Sequence, residues 1–118
     1  MDQLNNKIAI ITGASSGIGK AIALAFAAEG ATAVLASRNK KKLDEVAKQI
    51  ADTGGTACVI PTDVTDEDQV MRLFQETSRQ FDRIDLLVNN AGTATAASLA
   101  HAPALVHQTK QLNRDLAL

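Results

Sequence analysis

Three glycines in the stretch TGASSGIG, Thr12 to Gly19, are the residues best placed to do chemistry, because they follow the apolar run IAII and precede an alanine-rich run. Gly13 permits a tight turn, Gly17 removes a side chain where a backbone must approach an anion, and Gly19 lets a helix pack closely on a sheet. A helix that begins here also offers free N–H groups and the positive end of its dipole. The spacing therefore predicts a cradle for a pyrophosphate group rather than an ordinary turn.

The surrounding sequence alternates strand and helix patterns, which would position such a loop. KIAII is a short apolar run closed by a glycine, as is typical of a strand buried on both faces of a parallel sheet. The connections are short, so successive strands should lie parallel with right-handed crossovers. The pattern predicts an α/β fold of the doubly wound type, with strands at Lys7–Ile11, Thr32–Ala36, TACVI up to Pro61, and Ile84–Val88.

Helices are predicted between these strands. The first spans Ile18 to Glu29 and stops at Gly30. The second lies in NKKKLDEVAKQIADTGG, and the third begins at a capping-box pattern formed by Thr65 and Asp68. The apolar stripe of the second helix consists of Leu43, Val46, Ala47 and Ile50.

Sheets of this type bind ligands beyond the carboxyl ends of their strands, where the strand order reverses. The chain places four polar or glycine-rich loops at those ends: Thr12 to Gly19, Ser37 to Lys40, Asp63 to Thr65, and Asn89 to Gly92. We therefore expect these loops to form one crevice.

Three of these loops carry motifs that resemble those of the short-chain dehydrogenase/reductase (SDR) family. The motifs are TGASSGIG, the pair Asp63-Val64 and NNAG at Asn89–Gly92, and the resemblance covers about residues 5 to 92. It implies a Rossmann-type doubly wound parallel sheet with strand order 3-2-1-4, truncated before the later strands, and a dinucleotide cofactor. It also implies that Asp63 accepts a hydrogen bond from adenine and that Val64 covers the ring.

The residues after the second strand indicate which dinucleotide is bound. An acid that would hold the ribose 2′-hydroxyl is expected there, about 20 residues after the glycine loop, but the chain has Ser37 and Arg38. A guanidinium offers a fork of donors to a 2′-phosphate, so NADP is expected in preference to NAD. The expected cofactor contacts are Gly13, Ser15, Ser16, Gly17, Ile18, Gly19, Ser37, Arg38, Asp63, Val64, Asn90, Ala91 and Gly92.

The catalytic part of the family pattern is missing. Members transfer hydride between the nicotinamide and a carbonyl or alcohol, with a Tyr-x-x-x-Lys pair as proton donor and an upstream Ser. This chain contains no tyrosine, and its one candidate catalytic residue is Asn113, which lies near the position of a proton-relay Asn of the family. Two functions remain open: the NADP-binding portion of an oxidoreductase, or a non-catalytic nucleotide-binding or interaction module.

The expected organisation is a dinucleotide-binding unit, residues 1–92, followed by a helical tail of the same domain, residues 93–118, with a helix from about Ala104. The tail is either the true continuation of the family sequence, cut within that helix, or unrelated sequence from a frameshift or altered splice. Family members are longer, so a chain ending here would leave Ile84–Val88 as a bare sheet edge and favour self-association.

Composition excludes several other classes. With 12 basic and 13 acidic residues and a net charge of -1, the chain lacks the field that nucleic-acid or membrane-surface binding requires. The single cysteine, Cys58, fits a buried packing role in a reducing cytoplasm. His101 and His107 have no carboxylate or cysteine nearby in sequence, so no metal site is expected.

Overall fold

Residues 3–90, which the computed structural model describes, form four strands and three helices that alternate along the chain. The strands are parallel and lie in the order 3-2-1-4, which confirms the predicted doubly wound, Rossmann-type sheet. The elements are β1 (Ile8–Thr12), α1 (Gly17–Ala28), β2 (Thr32–Ala36), α2 (Lys40–Asp52), β3 (Thr56–Val59), α3 (Glu67–Phe81) and β4 (Leu86–Asn89).

The sheet is buried on both faces because the central strands β1 and β2 are apolar at every position except Thr12 and Thr32. One face packs under α3, and the opposite face packs under α1 and α2. Each large aliphatic side chain buried in this way contributes about 1.5–3 kcal/mol relative to exposure. The α3 side contains Ile8, Ile10, Val34, Leu73, Phe74 and Leu87. The other side contains Ile11, Ala23, Leu35, Leu43, Val46 and Ile50.

The start of α3 differs from the prediction. The N-cap is Asp66, whose side chain accepts hydrogen bonds from the N–H groups of Asp68 and Gln69. Thr65 is unable to fill that role because its hydroxyl and its N–H both donate to Oδ1 of Asp63, at 2.6 and 2.9 Å. The predicted capping box at Thr65 is therefore wrong by one residue, since a local turn holds the threonine.

The start of β4 is also later than predicted. Asp85 sits beside the first residue of β1, where its N–H donates to the carbonyl of Ile8 and its Oδ2 accepts from the N–H of Ile8, at 2.9 and 2.8 Å. Arg83 pairs with the same carboxylate. This side-chain link replaces the first step of the ladder, so the strand begins at Leu86 rather than Ile84.

Cys58 lies in β3 and is half-buried, with its sulfur 3.6 Å from Oε1 of Gln80. Burial raises the pKa of this thiol, in agreement with a packing role. Within residues 3–90, no helix combines the length and the apolar character needed to cross a bilayer. The same part of the chain holds no group of three potential metal-binding side chains.

Candidate functional site

The loop between β1 and α1 has the backbone that its glycines were expected to allow. Gly17 adopts a φ of 59°, and a Cβ added there would meet no atom within 4 Å, so the space beside it is open. At Gly19 the opposite holds, because a Cβ would lie 2.0 Å from the carbonyl oxygen of Gly13 and 2.6 Å from Nδ2 of Asn90. Gly17 thus leaves room for a ligand, whereas Gly19 allows close packing inside the protein.

The N-terminus of α1 differs from those of the other two described helices. Its N-cap, Ser16, is extended and makes no capping hydrogen bond with its side chain, and no acidic residue stands in the first turn. By contrast, Asn39 caps α2 and Asp66 caps α3. The first helical hydrogen bond of α1 runs from the N–H of Lys20 to the carbonyl of Ser16, so the preceding N–H groups of the turn are available to an anion.

A cavity of about 410 Å³ lies beside this loop, at the carboxyl ends of the strands. It brings together three of the four loops that the sequence singled out, those after β1, β2 and β3. The residues that line it are Gly13, Ser15, Ser37, Arg38, Asn39, Thr62, Asp63, Val64 and Thr65. A site of this size and polar lining fits part of an organic anion.

Arg38 and Asp63 face this cavity from the ends of neighbouring strands. The hydroxyl and N–H of Thr65 donate to Asp63, and together with the positive charge of Arg38 they hold the pKa of that carboxyl below its usual range. Oδ1 of Asp63 takes both bonds from Thr65, and Oδ2 accepts none from the part of the chain that the structure describes. The carboxylate therefore stays ionised with one oxygen available to a donor.

The loop after β4 joins the site through the glycine loop. The hydroxyl of Thr12 donates to Oδ1 of Asn89 at 3.1 Å, and Nδ2 of Asn90 donates to the carbonyl of Gly13 at 3.4 Å. Asn89 is thus bound to β1. Asn90 contacts the turn between β1 and α1.

The other predicted site residues fall into two groups. The residues at the start of α1 lie outside the cavity lining, and Ile18 among them is 71% exposed. These residues are Ser16, Gly17, Ile18 and Gly19. The second group, Ala91, Gly92 and Asn113, lies outside the described residues, as do the predicted tail helix and the two histidines at which no metal site is expected.

The expected cofactor contacts missed three residues of the cavity lining, Asn39, Thr62 and Thr65, of which only Thr62 lies outside the loops expected to form the crevice. Each stands directly beside a residue that was identified, so the motifs marked the correct loops but not their full lining. Thr62 is buried, and its N–H donates to the carbonyl of Ser37 at 2.8 Å, which ties the loop after β3 to the loop after β2. No composition signal distinguishes such a threonine from one in an ordinary loop.

Comparisons with known proteins agree with this architecture. Residues 7–114 match the family model of the short chain dehydrogenases. An uncharacterized oxidoreductase of Staphylococcus aureus is 43% identical over 99 residues, covering 84% of this chain and 42% of that protein. A fatty acyl-CoA reductase of Acinetobacter baylyi is 38% identical over 115 residues, covering 95% of this chain and 39% of that protein.

Among solved structures, a short-chain type dehydrogenase/reductase from Mycobacterium marinum superposes with a TM-score of 0.69 at 44% identity, covering 71% of this chain and 34% of that one. The chain thus spans less than half the length of the relatives that it matches. Because the family model matches most of the chain and the described sheet has the expected strand order, this protein belongs to the short-chain dehydrogenase/reductase family.

Proposed function

We propose that this chain is the NADP-binding portion of a short-chain dehydrogenase/reductase whose full-length form transfers hydride between NADP(H) and a carbonyl or alcohol substrate. The family binds a nicotinamide dinucleotide, so the residues of this chain are compared with the chemistry needed to hold that cofactor. In the proposal, residues 1–92 bind the dinucleotide, and residues 93–118 are a helical tail of the same domain. A cytoplasmic location is part of the proposal, since one half-buried thiol fits a reducing compartment.

The observation that carries the proposal is the uncapped start of α1. Its N–H groups and dipole would bind the pyrophosphate, and the open space beside Gly17 gives the phosphates access to the backbone. Ser15 and Ser16 supply hydroxyl groups in the same turn. The exposed side chain of Ile18 offers an apolar surface to the part of the ligand beyond the phosphates.

The preference for NADP is supported by charges at the end of β2. Arg38 lines the cavity, and the first turn of α2 carries Lys40, Lys41 and Lys42 without any acidic residue. Cations at a helix N-terminus oppose the dipole by about 0.3–1 kcal/mol each, and Lys40 is offset by an ion pair with Asp44 at 2.8 Å. A ribose 2′-phosphate near Arg38 would relieve this unfavourable arrangement.

The adenine would lie between the loops after β2 and β3. Oδ2 of Asp63 is available to accept a hydrogen bond from the exocyclic amine, while Val64 lines the same cavity from the apolar cluster under α3. Asn90 is hydrogen-bonded to the glycine loop, and we assign it, with Ala91 and Gly92 of the same motif, to binding of the riboses.

The bound dinucleotide would supply the hydride, and the chain's own residues would orient it. No tyrosine is present among the 118 residues, so the proton donor that the family uses is not in this chain. That observation favours a second candidate function, a nucleotide-binding module without turnover. In the first function Asn113 would hold a water of the proton relay.

A titration tests the proposal directly. We expect the chain to quench NADPH fluorescence on binding and to bind NADH at least about tenfold more weakly, because Arg38 adds a charge-assisted contact of about 1.5–3 kcal/mol. Arg38→Ala should remove the preference, whereas Arg72→Ala, on α3 away from the cavity, should not. Equal affinities for the two dinucleotides would overturn the NADP assignment. Oxidation of NADPH with a carbonyl compound would exclude the module without turnover.

A further inference from the structure

Gln69 makes an unusual pair of hydrogen bonds at the start of α3. Its Oε1 accepts from the N–H of Asp63 at 2.8 Å, and its Nε2 donates to Oδ2 of Asp66 at 3.2 Å. The side chain is partly buried and spans from the helix back to the loop after β3. It therefore joins the N-cap residue of α3 to the loop that lines the cavity.

This geometry departs from an ordinary capping box. A Gln three residues after the N-cap usually reaches back to the N–H of the N-cap residue itself. Here the N–H of Asp66 donates to the carbonyl of Asp63 at 3.0 Å, so Gln69 reaches three residues further, to the N–H of Asp63. The side chain thus serves the loop rather than the helix end.

The orientation of the Gln69 amide is fixed by its partners. A backbone N–H needs an acceptor and a carboxylate needs a donor, so only one placement of the amide oxygen and nitrogen satisfies both. The carboxylate of Asp66 is itself held by the N–H groups of Asp68 and Gln69. The clamp on the loop is therefore anchored in the first turn of a helix of 15 residues.

With this clamp in place, every polar atom of Asp63 except Oδ2 makes a hydrogen bond. Its N–H goes to Gln69, its carbonyl accepts from Asp66, and its Oδ1 accepts from Thr65. Oδ2 accepts no hydrogen bond within residues 3–90, and Asp63 lines the cavity. A group ordered before binding costs less conformational entropy when the ligand arrives.

We propose that Gln69 is a positioning residue for the adenine end of the dinucleotide site. It touches no ligand but orders the loop of Asp63 and Val64, so that the free carboxylate oxygen faces the incoming base. The proposal rests on the proposed function for the identity of the ligand. The clamp itself is measurable without any ligand.

The binding test uses Gln69→Met, which keeps the side-chain length and removes both hydrogen bonds. Gln75→Met, an exposed position on the same helix, is the matched control. The probes are adenosine 2′,5′-bisphosphate, which needs the loop, and inorganic pyrophosphate, which needs only the start of α1. We expect Gln69→Met to lower the affinity for adenosine 2′,5′-bisphosphate about fivefold to tenfold, which is the value of one hydrogen bond. The affinity for inorganic pyrophosphate should change by no more than about twofold.

Hydrogen exchange tests the clamp in the ligand-free chain. The amide of Asp63 should exchange about tenfold faster in Gln69→Met than in the unmodified protein, and should be unaffected in Gln75→Met. Gln69→Glu keeps an acceptor for that N–H but sets a second carboxylate against Oδ2 of Asp66, so the clamp should hold only at low pH, where the introduced carboxyl is protonated and can donate to Asp66. Under those conditions the amide of Asp63 should exchange as slowly as in Gln75→Met measured at the same pH, even if Gln69→Met folds poorly.

The outcomes separate the two proposals. Failure of the unmodified chain to bind either probe would overturn the proposed function, and with it the ligand assigned to this loop. Unchanged exchange at Asp63 in Gln69→Met would overturn the clamp. If Gln69→Met lowers the affinities for both probes equally, or lowers neither, then Gln69 supports the fold alone and its positioning role is overturned.

Discussion

The amide nitrogen of Asn90 lies 3.4 Å from the carbonyl oxygen of Gly13, so the loop after β4 is hydrogen-bonded to the loop after β1. Gly19 packs against both groups. The three residues form a contact through which the glycine loop and the NNAG motif hold each other in place. Any side chain at Gly19 would separate them.

Gly19→Ala should therefore lower both stability and affinity. The added Cβ would lie 2.0 Å from the carbonyl oxygen of Gly13, and relieving such overlap costs about 1–3 kcal/mol of unfolding free energy. Chemical denaturation measures this cost, and NADPH titration measures the loss of binding. Gly54→Ala is the control: its Cβ would meet nothing, but its φ of 84° adds about 1–2 kcal/mol of backbone strain. If both variants bind NADPH like the unmodified chain, the contact does not shape the site.

Ser16→Asp should change stability and affinity in opposite directions. A carboxylate at the uncapped start of α1 would interact with the free N–H groups and the dipole, raising the unfolding free energy by about 0.3–1 kcal/mol. It would also repel phosphates, so the affinities for inorganic pyrophosphate and for NADPH should fall about tenfold or more. Gln75→Glu adds the same charge on the exposed side of α3 and should leave binding unchanged. Unaltered binding in Ser16→Asp would mean that the phosphates do not bind at this helix.

Thr65→Val should raise the pKa of Asp63 toward its ordinary value of about 3.9, because the hydroxyl of Thr65 is the main cause of the depression. A carboxyl with a depressed pKa stabilises the fold above its unfolded pKa, and that contribution is lost as the pH falls through its folded pKa. The difference in stability between the unmodified chain and Thr65→Val should accordingly shrink in acid. Carbon NMR titration of the Asp63 carboxyl measures the shift, and Thr65→Ser should restore it. A pKa that does not move in Thr65→Val would contradict this account.

Within the described part of the sheet, β4 pairs with β1 on one side only. An apolar strand with one unpaired edge is a template for pairing with a second chain. We expect the isolated chain to self-associate through the unpaired edge of β4, Leu86–Asn89, with an average mass that increases as its concentration is raised about a hundredfold in sedimentation or light scattering. A monodisperse monomer with high thermal stability would refute this prediction.

The sequence predicted the strands well because apolar runs such as KIAII and TAVLA record burial on both faces, whereas the strand order 3-2-1-4 followed from the resemblance of three loop motifs to the family. Thr32–Ala36 was placed without error. Boundaries that depend on one polar side chain were missed. Before β4, the side chain of Asp85 accepts a hydrogen bond from the N–H of Ile8 in place of a backbone partner. Before α3, the side chain of Asp63 accepts a hydrogen bond from the hydroxyl of Thr65. Periodicity carries no information about either bond.

The candidate site shows the same division. Glycine spacing and the Asp63-Val64 pair identified the loops that line the cavity, because these residue types are needed where backbone and ligand approach each other. Gln69 could not be found in this way. Its role follows from reaching past the N-cap to Asp63, and nothing in DVTDEDQV distinguishes that conformation from a capping box.

Because the N-terminus of α1 has no side-chain cap, binding of an anion there would be coupled to folding of the chain. Without an anion, this helix starts with no side-chain cap, while α2 and α3 carry their own caps. A bound phosphate would complete the helix, so the free energy of binding becomes free energy of folding, and the melting temperature rises with the logarithm of ligand concentration. The dinucleotide would then be a structural part of the fold, because it would supply the helix cap that the chain itself lacks.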